Sequence, residues 1–163
     1  MLHLDIRLYN GAIHGKGLIA SKFIPQGQVV WRLDKNEKRL TLKELNKLPE
    51  KRRRLAYQYK DKYIIVSDNS EYMNHSSNPN TWWIDDDTLT ALRDIRKGEE
   101  VTYDYATAEV SEDFRSSWKC HCGAKNCRKI ITGGNCLDKG FQEKYKDHLS
   151  SWVLEFIEKN KSQ

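Results

Sequence analysis

Two short segments contain most of the side chains in this sequence that could hold a ligand and act on it. Residues 74–76 read Asn-His-Ser and residues 78–80 read Asn-Pro-Asn, which gives many hydrogen-bonding groups and little apolar surface. Such segments form loops, and loops rich in polar groups commonly bind something. Further along, Tyr103 and Tyr105 flank Asp104. Alternation along a strand places both phenols on one face, where they either line a narrow passage or lie half-buried as ordinary strand residues.

A third feature is a glycine turn near the start of the chain. Residues 15–18 read Gly-Lys-Gly-Leu. This turn suits either a plain β-turn or a backbone that approaches a ligand closely, because glycine has no Cβ to obstruct it. The dinucleotide-binding fingerprint is excluded, since no third glycine and no helix start follow.

Four cysteines follow residue 119 and none precedes it. Cys120 and Cys122 are too close in sequence for two structural disulfides, and the first 13 residues show no secretory signal. A metal site or free thiols are therefore favoured over disulfides, and the cytoplasm is the expected compartment, with a nuclear or exported location left open. Cys120, Cys122 and Cys127 either form that metal site or pack in the tail as reduced thiols.

Length and charge limit the number of domains and the kinds of partner that the sequence allows. The 163 residues suffice for one domain, or for one domain with a small appendage. The net charge is +5, and residues 34–62 alone carry eleven Lys/Arg against five Asp/Glu. Within them, the basic run at 51–54 is read either as a solvated helix face or as a docking surface for an acidic partner or DNA. No apolar run reaches the ~18 residues that a membrane span needs.

Local patterns predict several short strands. Apolar runs between glycine and proline turns predict strands at 18–20 and 29–31, and β-branched residues predict one at 63–66. Residues 81–92 predict a hairpin around three aspartates, and residues 101–105 predict a further strand.

Helices are predicted in two places. Thr41 and Glu44 have capping-box spacing, and Pro49 suits the start of a second helix through about Tyr59, so a helical insert is predicted over about 41–60. Apolar residues between 141 and 157 share one helical face, which predicts an amphipathic tail helix.

Taken in order, these motifs resemble the SET-domain protein lysine methyltransferases. The order is Gly-x-Gly, Tyr-Met-Asn-His-Ser, Gly-Glu-Glu-Val-Thr-Tyr-Asp-Tyr and Cys-x-Cys-x4-Cys, and the resemblance covers about residues 12–132. It implies a mainly β fold with an α insert: small curved β-sheets, a pseudoknot in which the Asn-His-Ser loop threads under another segment, and a C-terminal helix. It also implies a SET domain over residues 1–118 and a post-SET-like cysteine tail with the amphipathic helix over residues 119–163.

The resemblance further implies a site. Tyr105 corresponds to the catalytic tyrosine, and Tyr103 to the position that limits the number of methyl groups, where a tyrosine favours mono- or dimethylation. Structural zinc would be bound by Cys120, Cys122 and Cys127. S-Adenosylmethionine would be bound by residues from three segments of the chain: Gly15, Lys16, Gly17, Leu18, Asn74, His75, Tyr105 and Trp118.

Three positions depart from the family's pattern. The family's fourth zinc ligand is a cysteine just after the Asn-His-Ser motif, where this chain has Ser77, so that His121 or Cys136 would have to replace it. Glu71 stands where many members have Arg. No tyrosine is found near Leu33, where many members have a tunnel tyrosine. The candidates to replace that tyrosine are Tyr57, Tyr59 and Tyr63.

The function implied is S-adenosylmethionine-dependent transfer of methyl groups to a lysine of a protein or peptide substrate. The alternative is a non-catalytic SET module that only binds a peptide or protein partner. A basic nucleic-acid binder organised by zinc ranks below both, because no stripe of alternating aromatic and basic residues is present, and direct nucleic-acid binding is disfavoured. No membrane partner is expected, and the tail helix leaves a homo-oligomer open.

Overall fold

The fold is built on three small β-sheets. A computed structural model describes residues 1–111 and 114–161. The first sheet has four strands in the order β1 (Ile6–Ala12), β2 (Gly15–Ala20), β10 (Glu100–Tyr103) and β7 (Asn74–His75). β7 runs parallel to β10, and their register places Asn74 opposite Thr102 and His75 opposite Tyr103. Pairing between distant parts of the chain therefore brings the Asn-His-Ser segment beside the tyrosine strand.

Two three-stranded antiparallel sheets complete the β structure of the described residues. One is formed by β3 (Val29–Arg32), β9 (Thr88–Ala91) and β8 (Thr81–Asp85), and its β8–β9 hairpin turns at Asp86, as predicted. The other is formed by β4 (Arg39–Leu40), β6 (Lys62–Ile64) and β5 (Tyr57–Tyr59). The prediction of a mainly β fold with small sheets and a C-terminal helix is confirmed.

The insert is less helical than predicted. α1 (Leu42–Leu45) has the predicted capping box between Thr41 and Glu44. α2 (Glu50–Arg53) starts after Pro49 as expected, but it ends at Arg53, and the predicted continuation through Tyr59 is wrong. α2 buries none of its residues, so no packing against the rest of the protein would stabilise a longer helix. The aromatic residues that follow pair instead with β6 as strand β5, which suits their preference for sheets.

The predicted strand at 101–105 ends two residues early. β10 stops at Tyr103, and a short 3-10 helix (Tyr105–Thr107) begins because the Asp104 carboxylate accepts the Ala106 N–H at 3.2 Å. The rings of Tyr103 and Tyr105 still lie together, with centroids 4.9 Å apart.

The single tail helix of the prediction is in fact two helices, α3 (Lys139–Tyr145) and α4 (Ser151–Lys161). The break has a clear cause in contacts with the rest of the chain. Ser150 donates from its N–H and its hydroxyl to the Thr107 carbonyl, at 3.1 Å each. The Asp86 carboxylate then accepts the Ser151 N–H at 2.7 Å, which satisfies a free donor at the start of α4.

The tail and the sheets share one hydrophobic core. Phe141, Tyr145, Trp152 and Val153 belong to the same buried cluster as Leu18 and the other core residues of the sheets. The boundary predicted at residues 118 and 119 and the threading of the Asn-His-Ser loop stay predictions. No helix among the described residues is both long and apolar enough to cross a membrane.

Asp104 fastens the tail to the sheet. Its side chain is fully buried and pairs with the guanidinium of Arg128 from the cysteine segment. Its second oxygen accepts the Tyr145 hydroxyl of α3 at 3.0 Å. The carboxylate therefore satisfies partners from the cysteine segment and from α3 as well as its own backbone turn.

Replacing Asp104 with Asn should destabilise the protein strongly, because the Arg128 guanidinium would lose its charge partner. We expect the free energy of unfolding to fall by about 3 kcal/mol, the lower end for a buried pair, since about a fifth of Arg128 is exposed. Urea titration measures the change. Tyr145→Phe, which removes one hydrogen bond to the same carboxylate, should cost only about 1 kcal/mol. Equal losses in the two variants would contradict the ion-pair argument.

Gly133 and Gly134 offer a matched test of the packing between tail and body. A Cβ on Gly133 would clash with the backbone carbonyl of Ser111, whereas a Cβ on Gly134 would have no atom within 4 Å. Gly133→Ala should therefore lower the free energy of unfolding by about 2 kcal/mol or more, and Gly134→Ala should change it by less than about 0.5 kcal/mol. Similar thermal midpoints for the two variants would refute this packing.

Candidate active site

One cavity of about 630 Å³ has walls from the first two sheets, the insert and the segment before the cysteines. Tyr103 and Tyr105 line it, as do Lys16 and Asn74 from the sheet edge and Trp118 from the tail side. The fold thus brings together five residues that the sequence singles out from four separate segments.

The two tyrosines are held as neutral phenols. Burial raises the pKa of Tyr103 and that of Tyr105 above the usual tyrosine value, so both keep their protons at neutral pH. The Tyr105 hydroxyl donates to the Met73 carbonyl at 3.0 Å, which fixes the direction of the phenol. Tyr105 is therefore suited to orient a neighbouring group and unsuited to accept a proton at neutral pH.

Tyr57 supplies a third phenol to the cavity. It lines the cavity from β5, and its buried hydroxyl has no hydrogen-bond partner among the described residues. Leu33, where the family pattern suggests a tyrosine, lies in the hydrophobic core. Tyr59 is not on the cavity wall, because its hydroxyl donates to Asp87 at 2.8 Å. Of the candidates weighed for the missing tyrosine, Tyr57 is on the cavity wall.

The Asn74 side chain links its loop to the glycine turn. Its Nδ2 donates to the Lys16 carbonyl at 3.0 Å and to Glu100 Oε1 at 2.8 Å. Gly15 has φ of 62° and turns the chain between β1 and β2, while Leu18 is fully buried in the core. Gly15, Gly17, Leu18 and His75 are not on the cavity wall, and their part in cofactor binding stays a prediction.

His75 positions Tyr105 from behind. Its Nδ1 accepts the Tyr105 backbone N–H at 3.2 Å, so Nε2 carries the proton and faces Ser77 Oγ at 3.3 Å. Burial lowers the pKa of His75 to about 4, and the ring is neutral at physiological pH. His75 therefore acts as a hydrogen-bonded support for Tyr105.

Trp118 and His14 line the cavity next to each other. Their ring centroids are 4.1 Å apart, and the Trp118 ring also meets Tyr105 edge-on at 6.3 Å. His14 Nε2 is buried and has no partner among the described residues. An aromatic surface beside an unpaired polar atom is suited to a planar ligand that also forms hydrogen bonds.

Unpaired polar atoms concentrate at this cavity. In the described part of the chain, five buried side-chain polar atoms lack a hydrogen-bond partner, and four of them belong to cavity-lining residues. These four residues are His14, Trp31, Tyr57 and Glu71. Buried polar groups are normally paired, so this concentration indicates that the cavity is completed by a polar ligand.

The three predicted metal ligands lie together. The sulfur atoms of Cys120, Cys122 and Cys127 lie within 4.8 Å of one another. Although burial opposes it, backbone hydrogen bonds from Ala124 and Ser77 lower the pKa of the Cys122 thiol to about 7. Ser77 therefore borders the thiols, where the family's pattern puts a fourth cysteine.

The proposed replacements for the fourth ligand do not join this group among the described residues. The His121 ring packs near His14, at 5.8 Å between centroids, and the Cys136 sulfur donates to the Gly133 carbonyl. The chain thus supplies three thiols for a tetrahedral metal, one short of the closed structural sites that zinc usually has.

Sequence reasoning missed two residues of this site. Glu109 lines the cavity four positions after Tyr105, and Asp104 joins the site to the tail. The only sequence signal for Asp104 was its place between the two tyrosines. Glu109 had no such signal, because it lies in an irregular segment where neither a helical nor an alternating strand pattern applies.

Comparisons with known proteins show which family this sequence resembles. The sequence profile of the SET domain matches residues 15–106. The histone-lysine N-methyltransferase ASHH3 of Arabidopsis thaliana is 45% identical over 69 residues, which cover 38% of this chain and 18% of that protein. Histone-lysine N-methyltransferase 2B of Homo sapiens is 29% identical over 149 residues, covering 77% of this chain and 5% of that protein.

A third relative is the histone-lysine N-methyltransferase trithorax of Drosophila virilis, 31% identical over 140 residues that cover 77% of this chain and 4% of that protein. The chain spans less than a fifth of the length of each of these three relatives. The profile match covers more than half of the chain and includes the glycine turn, the Asn-His-Ser segment and both tyrosines. The chain belongs to the SET domain family.

Proposed function

We propose that this chain is a protein-lysine N-methyltransferase that takes methyl groups from S-adenosylmethionine. The observation that carries the proposal is one cavity lined by three phenols and by Lys16, Asn74 and Trp118, with four residues on its wall that each have an unpaired buried polar atom. Three relatives carry the name histone-lysine N-methyltransferase, so histones are the first substrates to test.

S-Adenosylmethionine, when bound, supplies a methyl group on a positively charged sulfur. The residues that would hold it are Lys16 and Asn74 at the sheet edge and Trp118 with His14 on the aromatic side. The unpaired His14 Nε2 offers a polar contact for such a molecule. These groups fit a ligand that has both a flat aromatic part and charged ends.

The phenols prepare the target lysine. Its Nζ must be neutral to attack, and deprotonating a free lysine at pH 7 costs about 4.6 kcal/mol. Tyr57, Tyr103 and Tyr105 surround the amine with partly buried rings, which disfavours the charged form. Because the Tyr105 hydroxyl is fixed by Met73, the amine would meet a rigid wall, and positioning contributes much of the rate.

Tyr103 is proposed to limit the product to mono- or dimethyl-lysine. Its hydroxyl lies in the cavity beside Tyr105 and takes space that a methylated amine would need. The cytoplasm stays the proposed location, on cysteine usage alone.

Replacing Tyr105 with Phe tests the proposal. We expect calorimetry to show S-adenosylmethionine binding to the wild type, and tritiated methyl transfer to a mixture of core histones. Tyr105→Phe should reduce methyl transfer at least about 100-fold, because it removes the preorganised hydroxyl that the Met73 carbonyl holds in place, while cofactor affinity changes little. Mass spectrometry of the products reads the number of methyl groups added.

Tyr9→Phe is the matched control, since Tyr9 is exposed on β1 and should retain full activity. Cofactor binding without transfer to any histone or lysine peptide would favour the non-catalytic SET module instead. No affinity for the cofactor would overturn both proposals.

We also propose that Cys120, Cys122 and Cys127 bind zinc with an incomplete protein ligand set. Ser77→Cys should complete a four-thiolate site, because the Ser77 backbone forms a hydrogen bond with the Cys122 thiol and so places this residue at the edge of the cluster. We expect zinc retention against a chelator to rise about tenfold or more in this variant, measured by a colorimetric zinc dye. Ser76→Cys is the control, since its hydroxyl accepts from Asn78 instead. A purified wild type without zinc, or equal retention in all three proteins, would contradict the proposal.

A further inference from the structure

A carboxylate shares the cavity with the three phenols. Glu109 follows the 3-10 helix that starts at Tyr105, and it lines the cavity together with Tyr57, Tyr103 and Tyr105. Its negative charge acts on the Tyr103 hydroxyl. A carboxylate at this place is chemically unlike the aromatic wall around it, and the proposed function gives it no task.

Consecutive hydrogen bonds fix Glu109 in place. Its own N–H donates to the Tyr105 carbonyl at 2.8 Å, and the next N–H, of Val110, donates to Gln58 Oε1 at 3.0 Å. The Ser111 N–H donates to Glu109 Oε1 at 2.9 Å. Glu109 Oε2 has no partner in the described part of the chain. One oxygen therefore anchors the carboxylate and the other is available to a ligand.

The other ionisable groups of the cavity have surroundings that differ from those of Glu109. Glu71 is the second carboxylate, but its charged neighbours are Asp68, Arg52 and Glu37, and it belongs to the 3-10 helix Ser70–Tyr72. The remaining ionisable groups that line the cavity are His14, Lys16, Arg54, Tyr57, Tyr72, Tyr103, Tyr105 and Arg115.

Chemistry at the amine requires a proton acceptor. The three phenols cannot serve at neutral pH, because burial raises the pKa of each above its usual value. Burial also raises the pKa of Glu109, to about 7. A carboxylate that titrates near the working pH is half-ionised there, which is the condition under which a general base is most effective.

We propose that Glu109 is a catalytic residue whose carboxylate removes the proton from the ammonium of the target lysine. This inference rests on the proposed methyltransferase function. One N–H bond of the ammonium breaks and an O–H bond forms at Oε2, which leaves two neutral groups and a free electron pair on Nζ. That pair would form the new N–C bond while the bond between sulfur and the methyl carbon of the bound donor breaks. The electrons of that broken bond would stay on sulfur, which leaves as a neutral thioether, and the proton passes from Glu109 to water after turnover.

Glu109→Gln is the decisive variant, because the amide keeps the size of the side chain and the oxygen that accepts the Ser111 N–H. The probe is the lysine peptide that the wild type methylates best in a peptide library. We expect kcat/KM at pH 7.5 to fall about 100-fold. Wild-type kcat/KM should fall tenfold per pH unit below about pH 7, where the carboxylate becomes protonated.

The variant should depend on pH differently. Without the carboxylate, only lysine that is already neutral in solution reacts, so kcat/KM should rise tenfold per pH unit towards about pH 10. The deficit should therefore shrink from about 100-fold at pH 7.5 to about tenfold at pH 8.5. A purely structural role would give a deficit that does not change with pH, and that result would overturn the inference.

A second measurement does not depend on turnover. In protein labelled with 13C at the glutamate carboxyls, the resonance missing from Glu109→Gln is assigned to Glu109. Its apparent pKa should lie near 7 in the free protein and fall when the lysine peptide binds, but not when the same peptide carries norleucine. An unchanged titration would overturn the inference.

The surface variant Glu155→Gln controls for loss of a negative charge, since Glu155 is exposed on α4. It should match the wild type at every pH. A wild type that methylates no peptide would overturn the proposed function itself, whereas an active wild type with an unchanged profile in Glu109→Gln would overturn only the role of Glu109.

Discussion

The buried carboxylate of Asp104 is the interaction on which the site most depends. It sits between the two tyrosines of the cavity, ends their strand by accepting the Ala106 N–H, and pairs with Arg128 and Tyr145 from the tail. A charge buried this deeply is tolerated only with its partners in place. The conformation of the tyrosine segment is therefore coupled to the docking of the tail, although the two are joined by an irregular stretch of chain.

This coupling explains why the cavity needs both halves of the molecule. Tyr103 and Asn74 come from a parallel strand pair in the sheet, whereas Trp118 comes from the segment that leads to the cysteines. His75 extends the connection, since it supports the Tyr105 backbone on one side and contacts Ser77 beside the thiols on the other. The three thiols therefore lie beside the residues that support the cavity wall.

Much of this could be read from the sequence because local chemistry fixes it. The Thr41 capping box, the aspartate hairpin and the order of the motifs all depend on neighbouring residues. The errors arise where distant partners decide. Tyr59 lies in a strand because β6 is available to pair with it, and the tail helix breaks at Ser150 because Thr107 and Asp86 capture the chain there. Glu109 gave no signal, since its position follows from its own bond to Tyr105 and from the bond that the Val110 N–H donates to Gln58.

The part of the chain that identifies the family and the part that closes the cavity are different. The profile match ends at residue 106, while Ala108, Glu109 and residues 114–118 form the remaining wall. These later positions lie outside regular strands and are not bound by an alternating pattern. A chain can therefore be recognised as a member of the family from residues that form only part of the cavity, while the chemical character of the rest of the wall is set by segments that the family profile does not describe.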